Sequence, residues 1–265
     1  MWGAFSSEWI KLQRRSMLGW GFGAGLFFPV LATILTIERA VRNPTFGGDH
    51  GHGVRVTYAA LEQPTGLVHG VVDVSSLIGL VALCLFAAAF SLEYSQGTLR
   101  NLLVREPRRT QLVSGKFLAL ALFIGLIVVI AVGISVAIAF ALAPGKGIST
   151  AAWTSSTGVN DMLQAVLHAF LAAVIYGVFG AALGILLRSP AVSIPVAVAY
   201  FLPIEAIITG AIWSGGSNWL PDHLLVALAH GGNGDSTYSH ALLMLVIYAA
   251  VAAASILALF RARDA

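Results

Sequence analysis

Six apolar runs constrain this chain more than any other feature of its sequence. A hydrocarbon core of roughly 30 Å needs about 20 apolar residues in helical form. The runs cover residues 17–37, 70–91, 117–143, 163–187, 191–213 and 241–260. Only 10% of the residues are charged, against roughly 25% in an average soluble protein. The sequence therefore predicts one all-α integral membrane domain, residues 1–265, with six transmembrane helices.

Residues 1–16 predict an amphipathic helix that lies in the membrane interface. Apolar residues recur at helical spacing on one face, Trp2, Phe5, Trp9 and Leu12, and charged residues fill the other, Glu8, Lys11, Arg14 and Arg15. An ordinary cytoplasmic tail is the alternative. The run that follows is long enough to span and lacks a clear small-x-small cleavage site, so we expect a retained helix instead of a removable signal peptide.

The break between the fourth and fifth runs is only three residues long. Arg188, Ser189 and Pro190 predict a tight hairpin at one membrane face, or else the two runs form a single kinked segment. Gly and Pro inside the runs do not forbid helix, because neighbouring groups can satisfy the freed backbone groups in a membrane.

The distribution of Lys and Arg predicts that both termini face the cytoplasm. With the N-terminus inside, 11 of the 15 basic residues flank cytoplasmic ends of spans, as positively charged residues prefer. The four on the outside are Arg39, Arg42, Arg55 and Lys146. Because the cations flank apolar runs, the net charge of +3 gives no reason to expect a nucleic-acid partner.

The loop 92–116 concentrates charge between two apolar runs, and it has internal order. Gly97 and Thr98 are suited to break one helix and cap a short one, Leu99 to Val104, which Pro107 then ends. Leu99, Leu102 and Leu103 would form one face of this helix and Arg100 another. Thr110 is expected to cap the next helix, which enters the third span. Such an element predicts a docking site for a soluble partner.

The string "EYSQGTLRNLLVREPRRTQLVSGK" resembles the first cytoplasmic loop of ABC-2 type transporter permeases, the membrane subunits of bacterial ABC exporters. The shared pattern is an acidic residue ending the second span, Gly-Thr, a short apolar helix, a proline with basic neighbours, and a Gly-Lys entering the third span. The amphipathic N-terminal helix, the six spans and the longer segment before the last span resemble the family less specifically.

The resemblance implies that two permease chains, identical or homologous, form a translocation path in a bacterial inner membrane and dock two copies of an ATP-binding subunit. The short helix in the loop would be the coupling helix. The residues implied to dock the ATPase are Glu93, Gly97, Thr98, Leu99, Arg100, Leu102, Leu103, Arg105, Trp9 and Arg14. Drugs, peptide antibiotics and lipid-like molecules are the expected cargo, and drug or antibiotic resistance is the expected setting.

The chain is not expected to be an enzyme. No G-x-x-x-x-G-K-[ST] string occurs, so ATP and magnesium would be bound by the partner subunit, and we expect no cofactor in this chain. H-E-x-x-H, G-x-S-x-G and Cys-x-x-Cys strings are also absent, which gives no sign of a hydrolase or a metal site.

Three polar residues in the apolar runs are candidates for a cargo path. Glu205 either faces a cavity or partner inside the membrane, or reaches the outer interface because Pro203 ends its helix early. Gln164 and His168 open the fourth span one turn apart and are expected to hydrogen-bond a neighbouring helix. Asp73 is expected to begin the second span, where the helix dipole favours a negative charge.

Small residues predict close helix packing. Gly19, Gly21, Gly23 and Gly25 form two overlapping Gly-x-x-x-Gly pairs in the first span, and a third pair lies in the fourth span at Gly180 and Gly184. These pairs serve contacts either within one chain or between two.

The two long external segments differ in kind. Residues 38–69 predict a loop without a buried core, and their His50 and His52 are too few to predict a metal site. Within residues 214–240, Pro221 to Ala229 predicts a helix too short to cross, with Pro at its start and Gly after its end. The family resemblance implies that this helix is re-entrant.

A second function remains open beside the transporter. In it the chain is a membrane-embedded enzyme or maturation factor that uses external polar side chains, His50, His52, Glu62, His69 and Asp73. The two functions differ in whether an ATPase partner or the external histidines are required.

Overall fold

Ten α-helices and several short 3-10 turns make up the residues that the structure describes, 2–42, 56–96 and 109–262. The structure is a computed structural model. The helices are α1 (Trp2–Leu12), α2 (Arg15–Glu38), α3 (Tyr58–Leu61), α4 (His69–Asp73), α5 (Ser75–Ser95), α6 (Arg109–Leu142), α7 (Ser156–Leu187), α8 (Pro190–Ile212), α9 (Pro221–Ala229) and α10 (Tyr238–Ala262). Within α8, the segments Tyr200–Ile204 and Ile208–Ile212 form wider π-helical turns.

Six helices, α2, α5, α6, α7, α8 and α10, are long and apolar enough to cross a membrane. This confirms the predicted number and makes the chain a multi-pass membrane protein. Some helices extend beyond the apolar runs. For example, α7 begins at Ser156 instead of residue 163, because the Ser155 hydroxyl accepts a hydrogen bond of 3.1 Å from the Gly158 backbone N–H and caps a polar first turn.

Two predicted helix starts are wrong. Thr110 is not an N-cap, because α6 already begins at Arg109. Asp73 does not begin the second span, because α5 starts only at Ser75. Asp73 is instead the last residue of α4, where a helix dipole disfavours negative charge. It is held there by a 2.9 Å hydrogen bond from Nδ1 of His69.

A tight turn joins α7 to α8 as a hairpin, so the two apolar runs do not form a single kinked segment. Arg188 has a φ of 57°, in the left-handed region, and so reverses the chain direction after α7. Pro190 takes the first position of α8, where a missing N–H has no cost. The reversal lets α8 pack against both α7 and α5. The Arg188 guanidinium lies 5.8 Å from the centre of the Tyr94 ring, near the end of α5.

The helices α5 and α7 approach each other closely at two predicted small residues. A Cβ added at Gly180 would lie 2.2 Å from the carbonyl oxygen of Leu83, and one at Gly184 would lie 2.6 Å from that of Ala87. Helices can come so near only where no side chain stands between them. This Gly-x-x-x-Gly pair therefore serves packing within the chain.

The glycines of the first span lie on two different faces of α2. Gly21 and Gly25 lie against side chains of α6, at 2.9 Å and 2.4 Å for an added Cβ. A Cβ at Gly19 or Gly23 would meet nothing within 4 Å. One of the two overlapping pairs therefore packs inside the chain, and the other faces outward.

This difference between packed and open glycines is testable. We expect Gly180→Ala to lower the free energy of unfolding by about 2 kcal/mol, because the new methyl group meets a backbone carbonyl that cannot rotate away. Gly23→Ala should have no such cost, since its methyl group enters open space. Thermal unfolding in detergent, followed by tryptophan fluorescence, compares the two variants. Equal midpoints would contradict the close packing of α5 on α7.

The bundle has two ends, which we call basal and distal. The basal end holds α1, the end of α5, the start of α6 and the α7–α8 turn, as the proximity of Arg188 to Tyr94 indicates. The distal end holds α3, α4 and the connection from α6 to α7, where Lys146 forms an ion pair with Glu38 at the end of α2. The six long helices alternate in direction between these ends.

The segment that precedes α5 packs more tightly than predicted. In the described part of residues 38–69, Leu61, Leu67 and Val68 are buried, so the prediction of a loop without a core is wrong there. Trp153, in the connection from α6 to α7, explains the burial. Its Nε1–H donates a 2.7 Å hydrogen bond to the Leu61 carbonyl and so holds the segment before α5 against the connection from α6 to α7.

The helix α9 has the predicted bounds. Pro221 is its first residue, and at nine residues it is too short to cross a membrane. Its apolar side chains Leu224, Leu225 and Leu228 are fully buried because α9 packs against α7 and α10. It therefore belongs to the core of the bundle at its distal end.

Candidate functional site

The amphipathic helix α1 packs against α6 at the basal end. It ends at Leu12, four residues before the end of the predicted amphipathic helix, residues 1–16. Leu12 is buried and Trp9 packs against the same core cluster, as expected for the apolar face. Glu8 lies on the charged face of α1, as its spacing predicts, but only 8% of its surface is exposed.

Glu8 is buried because it joins four charged side chains from three helices, which we call the basal ion cluster: Glu8 and Lys11 of α1, Glu93 of α5 and Lys116 of α6. Nζ of Lys116 lies 2.5 Å from Oε1 of Glu93 and 3.4 Å from Oε2 of Glu8. Nζ of Lys11 lies 2.5 Å from Oε1 of Glu8 and 3.9 Å from Oε1 of Glu93. Two carboxylates and two ammonium groups thus balance in charge.

The burial of this cluster makes its geometry demanding. Lys116 is 2% exposed and Glu93 7% exposed, and Nζ of Lys116 lies 5.3 Å from the centre of the Phe90 ring. Charges removed from water are tolerated only when they are paired and hydrogen-bonded. The cluster therefore fixes the relative positions of α1, α5 and α6.

The basal ion cluster lies at both ends of the predicted coupling loop, since it contains Glu93 and Lys116. Glu93 lies two residues before the end of α5 at Ser95, and Lys116 lies in the second turn of α6. The predicted coupling helix falls on residues 97–108, outside the described residues. The docking residues named there stay predictions, and they are Gly97, Thr98, Leu99, Arg100, Leu102, Leu103 and Arg105.

The two docking residues predicted on the N-terminal segment, Trp9 and Arg14, lie in α1 and in the link that follows it. Trp9 is half-buried and stacks on Phe5, with ring centroids 6.0 Å apart. Arg14 is exposed in the extended link between α1 and α2. The sequence contained one local signal for the cluster, because Glu8 and Lys11 have the i, i+3 spacing of a helical ion pair. No local signal joins Glu8 to Lys116.

The carboxylate of Glu205 faces another helix of the same chain inside the bundle. This agrees with the first predicted position, in which Glu205 faces a partner within the membrane, and not with a position at the outer interface. Its side chain is fully buried, and Oε2 accepts a 2.8 Å hydrogen bond from the backbone N–H of Asp222, at the start of α9. Pro203 does not end the helix, because α8 continues through wider turns to Ile212. Glu205 thus ties the middle of α8 to the first turn of α9.

Asp222 extends this contact, and its role was not predicted from the sequence. Its carboxylate accepts a hydrogen bond from the hydroxyl of Tyr176 on α7. Burial raises the pKa of the Asp222 carboxyl, while the Tyr176 hydroxyl and His223 act in the opposite direction. Two hydrogen bonds therefore link three helices: Glu205 joins α8 to α9, and Asp222 joins α9 to α7.

Gln164 and His168 lie elsewhere, at the distal end. Both line a cavity of about 310 Å³, and the ring of His168 packs on Tyr238 with centroids 4.7 Å apart. Glu205 is not among the residues that line this cavity. The three residues predicted for a cargo path therefore do not come together in one space.

The external polar residues of the second predicted function are partly described. His50 and His52 lie outside the described residues. His69 and Asp73 meet at the distal cavity. Among residues 2–42, 56–96 and 109–262, no group of three or more His, Cys, Asp or Glu side chains has the geometry to hold a metal ion.

Comparison with known proteins gives one family match, over residues 54–265, to the family described as "Protein of unknown function (DUF2705)". The match covers five of the six long helices, residues 97–108 and the distal cavity. No curated protein and no solved structure matches the chain.

Proposed function

Since the chain belongs to the DUF2705 family, whose description assigns no activity, we propose from its own residues that it is the permease subunit of an ATP-binding cassette exporter. In this proposal two permease chains form the path, and a separate ATP-hydrolysing subunit docks on each of them. The coupling loop, residues 92–116, carries the contact, with the helix Thr98 to Val104 as the coupling helix.

The observation that carries the proposal is the basal ion cluster. A loop that transmits motion from one protein to membrane helices needs a stiff base, because a flexible root would absorb the displacement. Glu93 and Lys116, 23 residues apart in sequence, pair at the two ends of the segment that contains this loop. Glu8 adds α1 to the same base, so a force applied to the loop would reach α1, α5 and α6 together.

The sequence supports the division of labour. The chain has no P-loop string, so hydrolysis of ATP requires another polypeptide. The excess of Lys and Arg at the basal end supports a cytoplasmic position for that end and for both termini. A bacterial inner membrane is the proposed location.

A hydrophobic or amphipathic cargo suits the surface of the spans. Large apolar side chains are exposed along the outside of α6 and α8, for example Leu122, Val129, Leu202 and Ile207. In a complex of two permeases, part of this surface would face the partner and the path, and the rest would face lipid. A drug, a peptide antibiotic or a lipid-like molecule fits such a path.

Crosslinking from the loop tests the proposal. We expect a photoreactive amino acid in place of Leu102 to trap a polypeptide that binds ATP, identified by mass spectrometry after irradiation of native cells. The same amino acid in place of Arg42, at the distal end, is the matched control and should not trap it. Adding Arg100→Glu should reduce the Leu102 crosslink about tenfold, since it reverses a docking charge.

Two results would reject the transporter. One is a Leu102 crosslink only to proteins without an ATP-binding site, and the other is equal trapping from Leu102 and Arg42. Either outcome would leave the basal ion cluster as a structural feature without the proposed role.

The second candidate function, a membrane-embedded enzyme or maturation factor, is favoured by one observation. His69 donates a hydrogen bond to Asp73, and that bond raises the pKa of His69 above its usual value, with burial acting against it. Glu62, the third described member of the set, instead accepts a hydrogen bond from the Ser149 backbone N–H at 3.1 Å. Loss of function in His69→Gln with the ATPase still bound would support this alternative.

A further inference from the structure

The distal cavity is lined by two aspartates, three histidines and one glutamine. It lies between the 3-10 turn Pro64–Val68, α4, the start of α7 and the end of α9, and has a volume of about 310 Å³. The polar side chains around it are Thr65, His69, Asp73, Asp161, Gln164, His168 and His230. Its size is at the lower end of the range of small-molecule sites.

The hydrogen bond of His230 decides which of its ring nitrogens carries a proton. Nδ1 lies 2.8 Å from the carbonyl oxygen of Val226. A carbonyl oxygen can only accept, so Nδ1 must donate. In the neutral ring Nε2 is then a lone-pair acceptor, and it lies 4.0 Å from Oδ1 of Asp73. Nε2 of His230 and Oδ1 of Asp73 are then two acceptors that face each other without a shared hydrogen.

His69 has the same arrangement on the other side of Asp73. Its Nδ1 lies 2.9 Å from Oδ2 of Asp73 and donates to it. In the neutral ring Nε2 of His69 is therefore also an acceptor. When both rings are neutral, Asp73 therefore lies between two imidazoles whose Nε2 atoms are lone-pair acceptors.

The charge of the cavity points in the same direction. Asp73 and Asp161 carry formal negative charges at neutral pH, and the described residues of the lining include no Lys or Arg. The end of α9, at Ala229 and His230, adds the partial negative charge of a helix C-terminus. The cavity is thus negative and rich in hydrogen-bond acceptors.

We infer that the distal cavity binds a primary ammonium group. An ammonium carries one positive charge and three N–H donors, which complement the two carboxylates and the imidazole acceptors. A quaternary ammonium lacks these donors and is usually held by aromatic faces, and Phe, Tyr and Trp do not occur among the lining residues that the structure describes. The ammonium would belong to a lipid headgroup or to a free small amine. This inference does not depend on an ATPase partner.

The binding test uses the purified full-length protein in detergent and isothermal titration calorimetry at about pH 8, above the ordinary pKa of an imidazole. The probes are dihexanoyl phosphatidylethanolamine, dihexanoyl phosphatidylcholine and ethanolamine. We expect the phosphatidylethanolamine probe to bind at least tenfold more tightly than the phosphatidylcholine probe, because only the former donates N–H hydrogen bonds. Binding of ethanolamine as tight as that of the lipid would identify a free amine as the source, and weaker binding would identify the headgroup.

Two isosteric variants locate the site. Asp73→Asn and Asp161→Asn should each weaken binding of the amine about tenfold or more, because each removes a charged acceptor. Asp235→Asn is the matched control, since Asp235 is exposed at the same end and does not line the cavity. It should leave binding unchanged.

Protonation provides an independent readout. Lowering the pH to about 5.5 protonates His69, because its hydrogen bond to Asp73 raises the pKa of the ring above its usual value. Binding of the amine should then weaken, because the His69 ring loses its acceptor nitrogen and repels the ammonium.

Four results would overturn the inference. They are equal binding of the two lipid probes, no binding of either amine, unchanged binding in both Asp73→Asn and Asp161→Asn, or stronger binding at the acidic pH. If one of the two variants fails to fold, the other still decides the third of these.

Discussion

We expect Lys116→Met to lower the free energy of unfolding by about 3–5 kcal/mol, because it leaves the carboxylates of Glu8 and Glu93 buried with only Lys11 as a counter-charge. Lys116 is 2% exposed, so solvent cannot replace the lost ammonium. The measurement is unfolding of the purified protein by titration with sodium dodecyl sulfate, followed by tryptophan fluorescence.

Two further variants separate burial from charge. Lys146→Met breaks a lysine–glutamate pair at the distal end in which both side chains are more than one-third exposed, so its effect should be small. Adding Glu8→Gln and Glu93→Gln to Lys116→Met should recover much of the lost stability, because the uncompensated charges are gone. Equal losses for Lys116→Met and Lys146→Met would show that the basal ion cluster is not a buried unit.

The second large effect concerns Glu205. We expect Glu205→Leu to destabilise the protein by about 2–3 kcal/mol, because the part-buried backbone N–H of Asp222 loses its acceptor. Glu205→Gln keeps an acceptor oxygen in the same place and should cost less than about 1 kcal/mol. The same detergent titration compares them.

Release of α9 is measurable independently. Cys84 is the single cysteine of the chain, so Cys84→Ala removes the native thiol. In this background, Ala227→Cys places a thiol at a position of α9 that is 0% exposed. It should resist a water-soluble maleimide in the otherwise unchanged protein and react with it when Glu205→Leu is added. Protection that persists in Glu205→Leu would mean that packing of the leucines of α9, and not the hydrogen bond from Asp222, holds the helix.

Local patterns predicted much of the fold. The apolar runs located the six long helices because hydropathy is a sum over neighbouring residues. The bounds of α9 were predicted for a similar reason, since Pro221 favours a helix start and the glycines after His230 favour its end. The error at Asp73 and the extension of α7 to Ser156 lie at helix ends, where a single side-chain hydrogen bond changes the boundary.

The candidate site was less accessible to such patterns. Glu8 stands on the charged face of α1 by spacing, yet it is buried, because α6 brings Lys116 to that face. The pairing of Glu205 with Asp222 depends on how α8 and α9 pack. The same holds for Asp73 and His230, which lie far apart in sequence and approach to 4.0 Å at the distal cavity.

From the amino-acid sequence alone followed the membrane character of the chain, the number of its long helices and the absence of a P-loop, because these depend on composition and on residues adjacent in the chain. The tertiary structure alone decided which charges are buried together and which acceptors face one another. Electrostatic pairing depends on distances between side chains from different helices, and those distances exist only after the helices have packed.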